Sequence, residues 1–479
     1  MHLKKILLKN FRCFDSLEID LHPRLTVLVA DNGGGKTAVL DGIAIGLSTV
    51  LRVLSSANQR LPGPSIKDSD FRLESWTGRG GEKRWGASDY SQIVMETIDG
   101  LRWDHWRGSA TGKHPESKIG YADLSNRLSA VLESVKSDSP QVLPVFAYYG
   151  ARRGWIEVPE RLREAKQKEI NYDFPTSALY GALDAMSDFK EMLKWFDVEE
   201  SSELRANKGF SGEDFTELPA LGEVRNAVAR ILGGTYSSPH FNRKHKFVVQ
   251  TAGGPDELQV TQLSQGYQSM LALAMDFARR LALANGHLSR EFDNSDRWSS
   301  AIEYVQRWHT EGLEQPANFG PCWAPAIMLV DEIDLHLHPS WQQRVLRDLM
   351  HAFPHTQFVV STHSPQVLTT VRKECIRMLG RAPDGAWVTR EPERNPYAHS
   401  NSLSLEAVLE GSAYPDLPLT QDLREYQRLV GDDQQDLPRA KELRAKLEKE
   451  WSPSDPELQQ MDISIRKNDA LRKVRESRR

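Results

Sequence analysis

Hydrophobic and polar positions change period several times in the first fifty residues. Residues 5–8 read as a short strand around the apolar Ile6-Leu7-Leu8, and residues 17–21 alternate apolar with polar, the pattern of a half-buried strand. Residues 25–29 (Leu-Thr-Val-Leu-Val) are almost continuously apolar, which suits a strand covered on both faces. A glycine-rich turn then gives way to an apolar helix through Ile43, Ile45, Leu47 and Val50. Residues 57–90, rich in Gly, Ser, Arg and Asp, read as loop, and 93–96 with 101–106 read as a hairpin across Asp99-Gly100. A strand is predicted at 143–149. From about 156 to 250 the pattern is mostly helical, best at 179–196 and 221–232, and ends in a strand at 247–249. A helix over 264–284, a strand over 327–330, a helix over 340–351 and a strand over 357–360 follow. Beyond about 405 the chain is polar and helical from Leu423 onward, and neither an internal repeat nor a long heptad run interrupts it.

This alternation predicts an α/β fold with helical additions, and 479 residues supply chain for roughly two to three domains. Lys and Arg number 61 against 66 Asp and Glu, so 61 − 66 = −5, which excludes a protein coated in basic surface but leaves room for a local basic patch. Cys13, Cys322 and Cys375 are too far apart to frame a disulfide scaffold or a zinc module, and a reducing, cytoplasmic compartment is expected. Lys9 and Arg12 interrupt the apolar start, so no signal peptide is expected, nor any membrane span.

Three segments carry candidate chemistry. The first is Ala30-Asp31-Asn32-Gly33-Gly34-Gly35-Lys36-Thr37, set between an apolar strand and a helix. Small residues there let backbone N–H groups approach phosphate oxygens, and the helix N-terminus adds partial positive charge. Lys36 would reach the β- and γ-phosphates of ATP, and the Thr37 hydroxyl would ligate Mg²⁺. The usual first glycine is Ala30, which would carry a cost if that position needed positive φ. The second segment is Ile327-Met328-Leu329-Val330-Asp331-Glu332, an apolar strand ending in two acids. Asp331 would sit beside Mg²⁺, and Glu332 would act as general base on the attacking water. Third, Leu263-Ser264-Gln265-Gly266-Tyr267-Gln268 opens a helix, with Ser264 as N-cap and Gly266 permitting close backbone approach. Such a terminus can bind a γ-phosphate presented by another subunit.

Taken together these segments resemble the ABC-type ATPase heads of the SMC, Rad50 and RecF group. On that resemblance 263–268 is the signature that closes another subunit's phosphate site, with Ser264, Gly266 and Gln268 contributing to it. The segment Ile333-Asp334-Leu335-His336-Leu337-His338-Pro339 is similar to the D-loop. Thr362-His363-Ser364-Pro365 is similar to the switch-histidine motif, which gives His363 a γ-phosphate contact. Asn10-Phe11-Arg12-Cys13-Phe14 is similar to the family's opening Asn-Phe-Arg, which places Arg12 near the nucleotide together with Asn32, Gly33, Gly34 and Gly35. The family's Q-loop glutamine has no counterpart in residues 145–153.

A narrower resemblance is to the PtuA ATPases of bacterial Septu anti-phage systems, which also accompany some retrons. It rests on Phe146-Ala147-Tyr148-Tyr149-Gly150 and on the run from Asp331 to Trp341. It implies an antiviral ATPase that forms an ATP-bridged homodimer or higher oligomer with a separate HNH-type (PtuB-like) nuclease. Reverse transcriptase with retron DNA, or other nucleic acid, are further partners it leaves open. The implied organisation is an ATPase head in two halves, 1–155 and 251–404, a helical insertion at 156–250 and a helical tail at 405–479. The alternatives are a RecF-like DNA repair ATPase and a nucleotide-sensing scaffold with negligible turnover.

The remaining features read as structural or stay open. His336 and His338 alternate like a metal pair, but the D-loop reading accounts for them. Trp76, Trp85, Trp103 and Trp106 interleave with Arg79, Lys83, Arg84, Arg102 and Arg107, and a hairpin with half-buried indoles is the favoured reading over single-strand nucleic-acid binding. Residues 466–479 hold seven basic and two acidic side chains, which suits either a phosphate-binding tail or a solvated one. Asp432, Asp433 and Asp436 lack the alternating strands of a metal nuclease and read as helix caps or links. No HNH-like cluster is present, so nuclease activity is expected on another chain.

Overall fold

Alternation becomes structure in the opening strands. β1 (Leu3–Phe11) buries Leu3, Ile6, Leu8 and Phe11, and β2 (Phe14–Asp20) buries Phe14, Leu17 and Ile19 as its antiparallel partner. β3 (Leu25–Val29) is buried at every position and leads through the glycine loop into α1 (Lys36–Leu54). The computed structural model describes residues 1–56, 59–77, 81–110, 112–135, 140–151, 172, 174–185, 189–209, 215–254, 256–289, 320–409 and 416–476. Arg79, most of the 286–325 stretch and the last residues of the basic tail lie outside them.

Helix α1 corrects one expectation: by length and composition it could cross a membrane, yet most of its side chains are buried in the core. The predicted loop at 57–90 is corrected as well. It contains β4 (Leu73–Thr77) and β5 (Lys83–Ala87), a two-stranded ribbon whose residues are nearly all exposed. Cross-strand register holds that ribbon, with no buried face to leave a periodic signal. β6 (Tyr90–Thr97) and β7 (Arg102–Gly108) join the first pair in an antiparallel sheet of order β2-β1-β6-β7. α2 (Ala122–Ser134) and β8 (Val145–Tyr149) follow.

The helix expected at 179–196 is replaced by a short 3₁₀ turn (Pro175–Leu179) and then α3 (Lys190–Ala206). Gly181 takes a left-handed φ of 62°, which ends any helix there. α4 (Pro219–Ile231) leads into β9 (Tyr236–Phe241), β10 (Phe247–Thr251) and β11 (Glu257–Gln259), an antiparallel sheet where one strand was expected. α5 (Gln265–Ala284) is among the most deeply buried helices of the described residues. β12 (Ala326–Val330) precedes α6 (Pro339–Gln342) and α7 (Val345–Ala352), so the helix expected at 340–351 is broken in two. β13 (Thr356–Ser361), α8 (Pro365–Leu368), β14 (Ile376–Arg381), β15 (Trp387–Arg390) and α9 (Asn401–Ala407) complete this unit.

The central sheet has the order β15-β14-β3-β13-β12-β8, parallel except for the edge strand β15. Register sets Val330 beside Val360 and Tyr149, and Ser361 beside Leu28, so the carboxyl ends of β3, β13, β12 and β8 share one edge. Open α/β sheets bind ligands at that edge.

Contacts divide the chain into Met1–Leu409 and Glu410–Arg479. In the second unit the polar, helical tail resolves into α10 (Pro418–Gly431), α11 (Pro438–Glu450) and α12 (Pro456–Glu476). A proline opens each one, where its missing N–H costs nothing. Leu423, Tyr426, Val430, Leu443, Leu447 and Leu458 form that unit's small core.

Candidate nucleotide site

The glycine loop leaves β3 at its carboxyl end and turns on Gly33 and Gly35, with φ of 79° and 90°. At Gly35 a side chain is doubly excluded, because an added Cβ would also lie 2.4 Å from the Phe14 ring. Ala30 is not among the residues with positive φ, so alanine carries no conformational cost in place of the expected glycine. Asn32 and Gly33 are exposed at the loop's crest, and the Gly34 N–H donates to the Asp31 carbonyl at 2.9 Å.

Lys36 and Thr37 open α1 beneath that loop. Lys36 Nζ donates to the carbonyls of Ala30 (2.8 Å) and Asp31 (3.3 Å), which folds it across the loop's mouth. Burial pulls its pKa down, against the carboxylates of Asp331 and Glu332. Thr37 Oγ1 donates to Asp331 Oδ2 at 2.8 Å, across 294 residues of sequence. The two oxygens placed together suit a small divalent cation, which takes hard oxygen ligands.

Asp331 is buried at the end of β12. Its other oxygen accepts from Ser361 Oγ at 2.5 Å, and its N–H donates to the Tyr149 carbonyl at 2.9 Å. The same Ser361 hydroxyl accepts from the Glu332 N–H at 2.8 Å. Glu332 has a left-handed φ of 49°, uncommon for a residue with a Cβ, and such strain collects at functional sites. Thr362 Oγ1 donates to Asp334 Oδ1 (2.5 Å) and Ser364 Oγ to Gln342 Oε1 (2.6 Å), which fastens the segments on either side of His363. His363 is half-buried between them.

The signature segment is placed differently. Ser264 occupies the N-cap position of α5, but its side chain makes no capping bond and is exposed, a correction to its expected role. Gln268 turns back, its Nε2 donating to the Leu263 carbonyl at 2.7 Å. The close approach allowed by Gly266 is to the chain itself: an added Cβ would lie 2.7 Å from the His336 carbonyl oxygen. Tyr267 meets Trp341 of α6 edge-on at 4.4 Å. His336 has a φ of 63°, and His338 accepts from the Ser340 N–H to cap α6.

Arg12 is engaged by acids: Nε donates to Asp70 Oδ1 (2.9 Å) and a terminal nitrogen to Asp41 Oδ2 (2.6 Å). Asp41 also accepts from the Tyr148 hydroxyl at 2.8 Å. The fold thus brings together Lys36, Thr37, Asp331, Glu332 and the segment carrying His363. Arg12 is tied to α1 through Asp41, and Ser264 stands exposed at the start of α5, two residues before the Gly266 contact with His336. Sequence reading gave no role to Ser361 or Asp41, and quoted Tyr148 and Tyr149 without one. Ser361 and the two tyrosines end apolar strands, which was the signal available for them, whereas Asp41 lies within α1.

The four tryptophans separate. Trp103 is fully buried and donates to the Gly46 carbonyl at 2.9 Å, Trp106 is half-buried under Lys118, and Trp76 and Trp85 stand exposed on the ribbon.

Two family models match the chain, one described as an AAA domain over residues 5–211. The other is described as an AAA domain, putative AbiEii toxin, Type IV TA system, over residues 149–369. The two matches overlap over residues 149–211, from the last residue of β8 to just past α3. The retron Ec83 probable ATPase of Escherichia coli is 26% identical over 98% of this chain and 87% of that protein. The retron Vc95 probable ATPase of Vibrio cholerae is 23% identical over 94% of this chain and 88% of that protein. The Septu protein PtuA of Bacillus mycoides is 33% identical over a shorter match, 22% of this chain and 10% of that protein. With the glycine loop and the acidic strand at one edge of a parallel sheet, the chain is an ATPase related to the probable ATPases of retrons and, over a shorter stretch, to Septu PtuA.

Proposed function

We propose that this ATPase serves a bacterial anti-phage system, in which two copies pair around ATP and the nucleotide state sets how a separate HNH-type nuclease is held. The observation that carries the reading is the convergence of Thr37, Asp331, Ser361 and Glu332 at one sheet edge while the Ser264 hydroxyl is left outward. One chain supplies the phosphate loop and the acids, and the other supplies Ser264 and the N-terminus of α5.

In this reading Lys36 leaves the Ala30 carbonyl for the β- and γ-phosphates. Thr37 and Asp331 hold Mg²⁺, which neutralises phosphate charge when bound. Glu332 accepts a proton from water as that oxygen bonds to the γ-phosphorus and the bond to the β-phosphate oxygen breaks. His363 contacts the γ-phosphate, and loss of that group loosens the pair, an order–disorder switch of a familiar kind.

Phosphate release by the wild type and by Glu332→Gln tests turnover, with a fall of about 10²–10⁴ expected for loss of a general base. Indistinguishable rates would refute a catalytic Glu332. Sedimentation with ATP tests pairing: the wild type should dimerise or assemble further, and Ser264→Arg should stay single. Co-expression with an HNH-type nuclease should give a complex whose DNA cleavage changes when ATP is added; an ATP-indifferent nuclease would remove the regulatory role.

A further inference from the structure

Strand β8 ends in two adjacent tyrosines, and the two-residue period of a strand sends them to opposite faces of the sheet. On one face Tyr148 donates to Asp41 of α1, the helix that carries Lys36 and Thr37. On the other, the Tyr149 hydroxyl donates to Asp276 Oδ2 of α5 at 2.9 Å. The Tyr149 carbonyl meanwhile accepts the Asp331 N–H at 2.9 Å. A single residue therefore touches both the acidic strand end and the signature helix. The resemblance places a glutamine in this stretch, and none of residues 145–153 is one.

The receiving end is built to hold a charge. Asp276 is buried and also accepts from Arg279 and from Arg280 Nε, each at 2.7 Å. Arg280 donates in turn to the carbonyls of Ala178 and Tyr180, at 2.7 and 2.9 Å. Burial pushes the Asp276 carboxyl up, but the Arg280 and Arg279 charges outweigh it and hold its pKa at about 2. An ionised carboxylate only accepts, so the phenol is the donor, and a hydrogen bond to a charge is stronger than a neutral one. Removing the hydroxyl leaves Asp276 with both arginines, so the network survives the loss of its link to β8. From Asp276 to the start of α5 is eleven residues, about 16 Å of rigid helix. A tilt of roughly 4° at Asp276 would thus move Ser264 by about 1 Å.

We infer that Tyr149 is a positioning residue: through Asp276 it lets the Asp331 strand end set the tilt of α5, and so how Ser264 is offered to a second copy of this chain. The inference rests on the paired reading above, in which α5 closes a partner's site. Tyr148 answers to the phosphate-loop helix and Tyr149 to the signature helix, so one strand end serves both halves of the site.

The test compares Tyr149→Phe, Tyr148→Phe and Ser264→Arg in the full chain. Binding of a fluorescent ATP analogue is measured at concentrations where the chain is single, and pairing by sedimentation with saturating ATP. Tyr149→Phe should bind within about twofold of wild type and pair roughly 5- to 30-fold more weakly, a modest coupling. Tyr148→Phe should weaken binding severalfold and, once saturated, pair as wild type does. A merely structural role for Tyr149 would lower both quantities together, along with the melting temperature. If Ser264→Arg abolishes pairing while Tyr149→Phe pairs like wild type, the positioning inference falls alone. If Ser264→Arg itself pairs, the shared-site reading falls and takes the inference with it.

Discussion

The two halves of the candidate nucleotide site follow opposite plans. In the phosphate-loop half the polar groups find partners inside the chain: Lys36 on Ala30, Thr37 on Asp331, Asp331 and Glu332 on Ser361, Arg12 on Asp41 and Asp70. In the signature half Ser264 makes no capping bond, although serine is among the residues best suited to one. A helix start that leaves a good capping hydroxyl outward is less stable than it need be, and the outward group is free to meet another molecule. One half reads as a binding site within a chain, the other as a surface for presentation.

The most damaging way to break that comparison is Lys36→Ala. It removes the ammonium at the mouth of the glycine loop, and hydrogen bonds to charged groups contribute about 1.5–3 kcal/mol. Nucleotide affinity of the single chain should fall roughly 10- to 100-fold by titration with a fluorescent ATP analogue. Unchanged affinity would mean that the loop does not hold phosphate.

A subtler break falls on the contact between the halves. In Gly266→Ala the new methyl carbon would lie 2.7 Å from the His336 carbonyl and 3.3 Å from Leu337 Cδ2, and the first of these is backbone that cannot turn aside. Overpacking of this kind costs about 1–3 kcal/mol. The start of α5 should shift, and ATP-driven pairing should weaken about tenfold while the melting temperature drops by a few degrees. Full pairing in this variant would show that the α5 start need not lie on the D-loop.

Much of this was legible in the amino-acid order, and the limits have physical causes. Continuous apolar runs marked β3, β12 and β13, because a parallel strand buried on both faces has no other way to be written. The loop from Ala30 to Thr37 and the pair Asp331-Glu332 follow such runs directly, so the strand ends and the chemistry were read together. Gly266 was read as room for a phosphate, whereas the space is filled by His336 of the same chain; sequence shows that a side chain is absent but not what fills its place. The ribbon of β4 and β5 buries almost nothing and so left no period to read. Tyr149 was legible as part of a phrase and silent as to role, since its partner Asp276 is 127 residues away.

The smallest expected effect separates the halves by acid. Two histidines, His2 just before β1 and His105 on β7 against α1, are held neutral. Burial lowers His2 to about 3, aided by the amino terminus, Arg24 and His355 and opposed by its bond to the His355 carbonyl. Burial lowers His105 to about 4, aided by Arg52 and opposed by Asp104, and its ring lies 3.4 Å from Thr49 Oγ1 on α1. Both folded values lie below the ordinary value of about 6.5, so between pH 6.5 and 4 the unfolded chain binds protons that the folded chain refuses. Stability is therefore full above pH 6.5 and declines on acidification, by at most about 1.4 kcal/mol per unit for each histidine. Beside α5 the sign is that of a depressed carboxylate: the Asp276 contribution is present above about pH 4 and lost only as pH falls toward 2. Hydrogen exchange at pH 7 and 4.5, corrected for intrinsic rates, should show protection falling in α1 and β7 before α5. His105→Gln should flatten that difference; equal loss in both helices would mean that the halves unfold as one.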